Sequence, residues 1–193
     1  GVLGAIRANV LNVPDVLDAY VTENSTGAPV ATGGVTIPAR SLFVSVTGGL
    51  SADIAEAIFR KKPPGCGYYG TTTVTVTDDN SGYSLPYPTY DVKFTIATPT
   101  PVEFDVTIAN SAAVPADAVQ QIQAAIVSAF NGGDGGPRAR IGATIFASRF
   151  YAPIATLGPW AQIVSLKLGT VTPTLDEVTM QIDQVPTVVA GDI

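Results

Sequence analysis

Along this chain the apolar positions change period twice in the same order, from every second residue to every third or fourth. Leu42–Thr47 alternates, Gly48-Gly49 interrupts it, and Ser51–Ile58 then places Ile54, Ala57 and Ile58 on one helical face. Val102–Ile108 alternates again, Asn110-Ser111 interrupts, and 115–130 carries Val119, Ile122, Ile126 and Phe130 as one apolar stripe. Each module ends in a glycine-containing loop, Pro63–Gly67 in the first and Asn131–Gly136 in the second. Ala52-Asp53-Ile54 and Ile58 align with Ala116-Asp117-Ala118 and Ile122. A duplicated strand–helix scaffold without concentrated reactive side chains points to a part that is assembled.

The remaining elements follow from the same rules. Leu3, Ile6 and Val10 predict a helix over 4–10, ended by Asn12-Val13-Pro14 because a residue preceding proline is driven out of the α region. Val16–Thr22 reads as a strand and 23–29 as a turn. Val35–Val46 is extended, with Pro38 at a strand start or an edge. A helix over 51–61 has Ser51 as its cap and Asp53 in its first turn. Thr71–Thr77 and Tyr90–Ile96 predict a hairpin over 71–96, turned at Asp78–Gly82. Leu85–Pro88 reads as an exposed loop. The two prolines of Ala97–Pro101 suit an extended linker. Beyond it come helix 115–130, a second helix over 141–152 that Pro153 ends or kinks, and strands at 161–168 and 178–183. The expected fold is α+β: two small domains, 1–98 and 99–193, each a few-stranded, mostly antiparallel sheet with helices on one side.

Composition narrows the chemistry. Of 193 residues 46 % are hydrophobic and 13 % charged, with a mean hydropathy of +0.32, which is too apolar for disorder. No apolar run reaches the roughly 18 residues of a membrane span, so no insertion is expected. The start lacks both an initiator Met and signal-peptide features, as expected of a fragment or processed product. Ten Lys and Arg against sixteen Asp and Glu give a net charge of −6, unlike a nucleic-acid binder. Arg60-Lys61-Lys62, the one cationic run, sits where a helix end favours positive charge. One cysteine allows no intrachain disulfide, and no histidine means no Ser-His-Asp or Cys-His relay. The expectation is a non-enzyme without cofactor, metal or small-molecule substrate.

Asp78–Gly82 gathers oxygen ligands but lacks the EF-hand spacing and reads as a hairpin turn. Gly132–Gly136 follows a helix, and no Gly-Lys-Ser/Thr completes a phosphate loop, so a helix C-cap leading to a mobile connection is expected. Arg138 and Arg140 beside it are candidates to anchor a partner's carboxylate. Cys66 has cationic neighbours but no base and reads as incidental. Tyr68, Tyr69, Tyr83, Tyr87 and Tyr90 are candidate interface residues, since tyrosine joins a large ring to a hydroxyl. They suit a sugar-binding surface too, or ordinary partial burial, as do Phe150, Tyr151 and Trp160.

One ordered series of residues resembles the baseplate J-like proteins of contractile phage tails and related injection machines. It runs Ile37–Ser41, Val44–Val46, Gly48-Gly49, Asp53–Ala55, Ile58, Lys62–Gly65, Gly70, Val74–Val76, Asp78 and Phe94. Val106–Ile108, Ile122–Ile126, Ile141-Gly142 and Ile163–Leu168 resemble the family's C-terminal domain. The family's N-terminal region has no counterpart here, and the segment Leu85–Tyr90 matches nothing in its pattern. The resemblance implies a structural wedge or ring component with no catalytic residues. Its partners would be other baseplate and tail proteins and itself. Its place would be the virion tail baseplate, after assembly in the bacterial host cytoplasm. The alternative from the threonine-rich strands and tyrosines is a carbohydrate-binding or adhesin-like module.

Overall fold

A computed structural model describes all residues, Gly1–Ile193, and the chain divides into two compact units. Unit 1 holds Gly1–Thr98 and Gln181–Asp183; unit 2 holds Pro99–Met180 and Gln184–Ile193. The architecture is α+β.

Unit 1 runs α1 (Val2–Leu11), β1 (Val16–Asn24), β2 (Val30–Thr32), β3 (Val35–Ile37), β4 (Ser41–Gly48), α2 (Ser51–Phe59), β5 (Gly67–Tyr69), β6 (Thr72–Thr77) and β7 (Thr89–Ile96). Its main sheet has the order β1-β4-β7-β6, with β5 also paired to β4. The β1/β4 and β6/β7 ladders are antiparallel, whereas β4 meets β5 and β7 in parallel. Residues 41–46 of β4 are all buried, so the strand is covered on both faces. Period two assigns the faces. Leu42, Val44 and Val46 share a core with Ile6 and Val10 of α1 and with Ile54 and Ile58 of α2, while Phe43 joins Ile37 and Ile182. Asn9 Nδ2 donates to the Ala57 carbonyl at 2.7 Å and ties α1 to α2.

Ser45 lies on the Phe43 face, fully buried, and its hydroxyl has no partner. A buried, unmatched hydroxyl costs its desolvation without return. Ser45→Ala should therefore leave stability unchanged or raise it by up to about 1 kcal/mol, read from urea unfolding.

Unit 2 contains β8 (Thr98–Pro101, its first residue in unit 1), β9 (Glu103–Ile108), α3 (Ala118–Phe130), β10 (Thr144–Phe146), α4 (Tyr151–Ala155), β11 (Ile163–Gly169), β12 (Glu177–Thr179) and β13 (Gln184–Thr187). These pair as β9/β11, β10/β12 and β8/β13. The core joins Phe104, Ile122, Ile126, Phe130, Phe150 and Leu166.

Several sequence expectations need correction. The segment 141–152 is not one helix. Gly142 takes φ +70°, Thr144–Phe146 pairs with Glu177–Thr179 as β10, a 3₁₀ turn covers Ala147–Phe150, and α4 begins only at Tyr151. Pro153 neither ends nor breaks α4, because in a first turn its missing N–H would have had no helical partner. Helix 115–130 starts three residues later, at Ala118, and helix 51–61 ends at Phe59. Ser51 is the first helical residue of α2, Leu50 holds the cap position, and no side chain caps it. Val119 lies at the margin of the buried face of α3 and is 60 % exposed. The strand expected over 178–183 stops at Thr179, and 181–183 belongs to unit 1. Ala97–Pro101 is extended but is no free linker, since most of it is β8, paired with β13.

The duplication reappears in permuted order. In unit 1 a helix–strand pair (α1, β1) precedes a strand–helix pair (β4, α2); in unit 2 a strand–helix pair (β9, α3) precedes a helix–strand pair (α4, β11). The two strands are antiparallel in both units. The register slips at the same point, between Val16 and Asp18 of β1 and between Ile163 and Ser165 of β11. Each bulged position carries an exposed apolar residue, Leu17 and Val164.

Candidate interface residues

The five candidate tyrosines do not form one surface. Tyr68 and Tyr69 are neighbours on β5 and face opposite ways, as period two requires. Tyr69 packs against Phe43, with ring centroids 6.2 Å apart. Tyr68 packs on the α1/α2 side, with the Lys62 ammonium 4.7 Å from its ring centre. Burial pushes the Tyr68 phenol up to about 12, assisted by the charges of Cys66 and Tyr90.

Tyr90 lies against Phe59 of α2 at 5.2 Å and keeps 40 % exposure. Neighbouring Tyr83 raises the Tyr90 phenol above its ordinary value, with burial, their shared hydrogen bond and Asp78 adding to it. Tyr83 is held in place by its N–H, which donates to the Asn80 carbonyl at 2.9 Å. Tyr83, Tyr87 and Leu85 all belong to the exposed segment between β6 and β7. The acidic turn at its start binds itself. The Asp78 carboxylate accepts from the Asn80 backbone and side chain, and the Asp78 N–H donates to the Pro88 carbonyl at 2.8 Å. Nowhere in the chain do three or more His, Cys, Asp or Glu side chains converge as metal ligands. No helix is long and apolar enough to cross a membrane.

In unit 2 the glycine loop closes α3. Gly132 N–H donates to Ala129 O at 3.1 Å and Gly133 N–H to Ser128 O at 2.7 Å, with Gly132 at φ +78°. This 5→2 and 6→1 pattern is a Schellman cap, which needs a left-handed residue at the position glycine fills. The loop then folds back, and Arg149 grips Asp134 through two bonds of 2.8 and 2.6 Å. That side-chain hydrogen bond, with a backbone one from Gly136, holds the Asp134 carboxyl down at about 2.

A carboxylate depressed by native contacts stabilises the fold above its unfolded pKa and loses that contribution as pH falls through the folded value. Asp134→Asn should therefore lower the urea midpoint at neutral pH. The gap to wild type should close as pH drops from 3.8 to about 2, and a gap constant across that range would contradict the pairing.

Arg138 and Arg140 line a cavity of about 300 Å³ beneath this loop. Ala129 and Phe130 of α3 form one wall, Ala143–Phe146 another, and Arg149 and Phe150 a third. Sequence reasoning named two of these three arginines. Arg149 carries no local signal, because the return of its segment beside α3 is a tertiary event. A larger, shallow depression of about 730 Å³ runs along α4 and the start of β11, lined by Tyr151, Ala152, Ala155, Pro159 and Ile163 among others.

No family model matches the chain, and no curated protein matches it. Among solved structures it is similar to a chain of the baseplate of the anti-feeding prophage, determined by cryo-EM with six-fold symmetrisation. The TM-score is 0.55 and the identity 13 %. The match covers 95 % of this chain and 36 % of that one, so this chain spans about a third of its neighbour's length and shares its fold over that part.

Proposed function

We propose that this chain is a structural, non-enzymatic component of a contractile-tail or injection-machine baseplate, acting as a wedge or ring element of the baseplate J-like type. The observation that carries the reading is the shared fold with a prophage baseplate chain over nearly all of this sequence. The ordered residue pattern that resembles the same class of machine is an independent support. The chemistry agrees: a chain without histidine has no imidazole to relay protons near neutral pH, and its most depressed carboxylate is engaged by an arginine. In this reading the partners are other baseplate proteins and further copies of the chain, and the site of action is the tail baseplate after assembly in the host cytoplasm.

The carbohydrate-binding alternative has less support. Two of its five tyrosines, Tyr68 and Tyr69, use their rings in packing within unit 1, and Tyr90 lies on Phe59. Cross-linking mass spectrometry on tail-like particles purified from the source cells tests the proposal. Cross-links from this chain to tail proteins and to itself are expected. Particles that lack the chain altogether would remove the reading.

A further inference from the structure

The two units differ at one place that their shared plan makes visible. Matching the bulges of β1 and β11 sets Val46 of β4 against Val106 of β9, and the helix alignment sets Ala55 of α2 against Val119 of α3. In unit 1 the hairpin β6/β7 fills this place and packs on α2. β7 pairs in parallel with β4 at Ser45 and Val46, and the Ala97 N–H donates to the Val46 carbonyl at 2.9 Å. Ala55 is fully buried, and Phe59, one turn beyond it, packs on Tyr90 of β7.

Unit 2 has no counterpart of that hairpin. Strand β13 pairs with β8 and reaches no further than Val102, whose N–H donates to the Thr187 carbonyl at 2.9 Å. Leu168 of β11 exchanges both backbone bonds with Leu175, so it turns those groups away from β9. Across the antiparallel ladder Phe104 therefore turns its own away from β11, and alternation extends this to Val106 and Ile108. No backbone bond from the chain meets Val106 or Ile108 on that side. On α3, Val119 is 60 % exposed where its counterpart Ala55 is covered. Gln123, the counterpart of Phe59, donates to the carbonyls of Ala190 and Ile193, so the open stretch is confined to the first turn of α3 and the end of β9.

We propose that the free edge of β9 receives a β-strand from another protein, added parallel to β9 as β7 is added to β4, with an apolar side chain seated on Val119. Three features select that occupant. An unpaired edge presents alternating N–H and C=O groups, which another extended backbone matches along its length. The strand's inward positions are apolar, as Val92 and Phe94, alternate residues of β7, are fully buried in unit 1. Asp105 is exposed at the position of Ser45, which faces Thr95 of β7, so a cationic residue on the incoming strand is favoured there. A second copy does not offer its own β7, because that strand is already paired with β4 and β6. The inference rests on the comparison of the two units and not on the baseplate reading.

The test uses a capped peptide with the sequence of β7 over Asp91–Ala97 carrying Thr95→Lys, titrated into the ¹⁵N-labelled chain and followed by amide shifts. Saturable shifts centred on 104–108 and 118–122 are expected, with slower hydrogen exchange at the Val106 and Ile108 amides. The same peptide N-methylated at its final alanine, whose counterpart Ala97 donates to β4 in unit 1, should bind about tenfold more weakly. Val119→Asp, a change at an exposed position that leaves the fold intact, should also lose about tenfold in affinity. Equal binding of the methylated peptide, unchanged binding by Val119→Asp, shifts centred in unit 1, or no shifts would each overturn the proposal. In sedimentation the wild type and Val119→Asp should behave alike. Self-association abolished by Val119→Asp would name a second copy as the occupant and overturn the assignment to another protein. None of these results depends on whether the protein belongs to a baseplate, which the cross-linking experiment decides separately.

Discussion

Gly48→Ala should destabilise unit 1 by about 3 kcal/mol or more, among the largest effects of any single substitution outside the cores. Gly48 ends β4 at φ +78°, a left-handed conformation that an L side chain adopts at a cost of roughly 1–2 kcal/mol. Space adds a second penalty. A Cβ at this position would lie 2.1 Å from the backbone carbonyl of Asp15, which cannot rotate away as a side chain would. Asp15 is itself left-handed at φ +64°, so the two strained turns before β1 and after β4 lock against each other. Gly27→Ala is the control: its Cβ would meet nothing within 4 Å and its φ is ordinary. Urea unfolding should show a large drop in midpoint for the first and almost none for the second. Similar midpoints would mean that the approach of these two turns is wrong.

Phe150→Ala should cost about 3–5 kcal/mol and leave unit 2 poorly folded. The ring is 1 % exposed and completes a group of three aromatics drawn from three separate elements. It stands edge-on to Phe104 of β9 at 4.9 Å and stacked with Phe130 of α3 at 6.2 Å. Truncation would remove the contact between the α4 segment and both partners and leave a cavity too large to close. Phe150→Leu keeps most of the volume and should lose clearly less. Thermal unfolding distinguishes the two. An alanine variant within 1 kcal/mol of wild type would show that Phe150 is not central to this core.

The sequence was most legible where local pattern and tertiary role agree. β4 followed by α2, β9 followed by α3, and the β6/β7 hairpin all appear with the expected type, because period and turn chemistry specify them without distant help. The 141–152 segment misled because Ile145, Phe146 and Phe150 fit a helical stripe, while the decisive facts were Gly142 and a strand thirty residues away. β12 and the 181–183 segment show a related limit. Thr98 N–H donates to the Asp183 carbonyl at 2.8 Å, and Ile182 N–H to Gly33 at 3.0 Å. Such partners, far apart in the chain, leave no local signature. The candidate interface residues fared unevenly for the same reason. Five tyrosines close in sequence separate onto different faces, whereas Arg138 and Arg140 converge with an unforeseen third arginine.

The permuted arrangement of the two units gives the duplication physical content. A shared bulge position is a demanding coincidence, because each bulge needs an extra residue on one strand opposite a fixed point on its partner. Both bulged positions carry an exposed apolar side chain, Leu17 and Val164.

Whether this molecule acts by fitting against neighbours is most directly read by immunogold electron microscopy. Antibodies raised against the chain would be applied to tail-like particles sedimented from the source cells. Gold concentrated at the distal end of the tail is the predicted result. Particles free of gold, with the chain left entirely in the supernatant, would contradict the account.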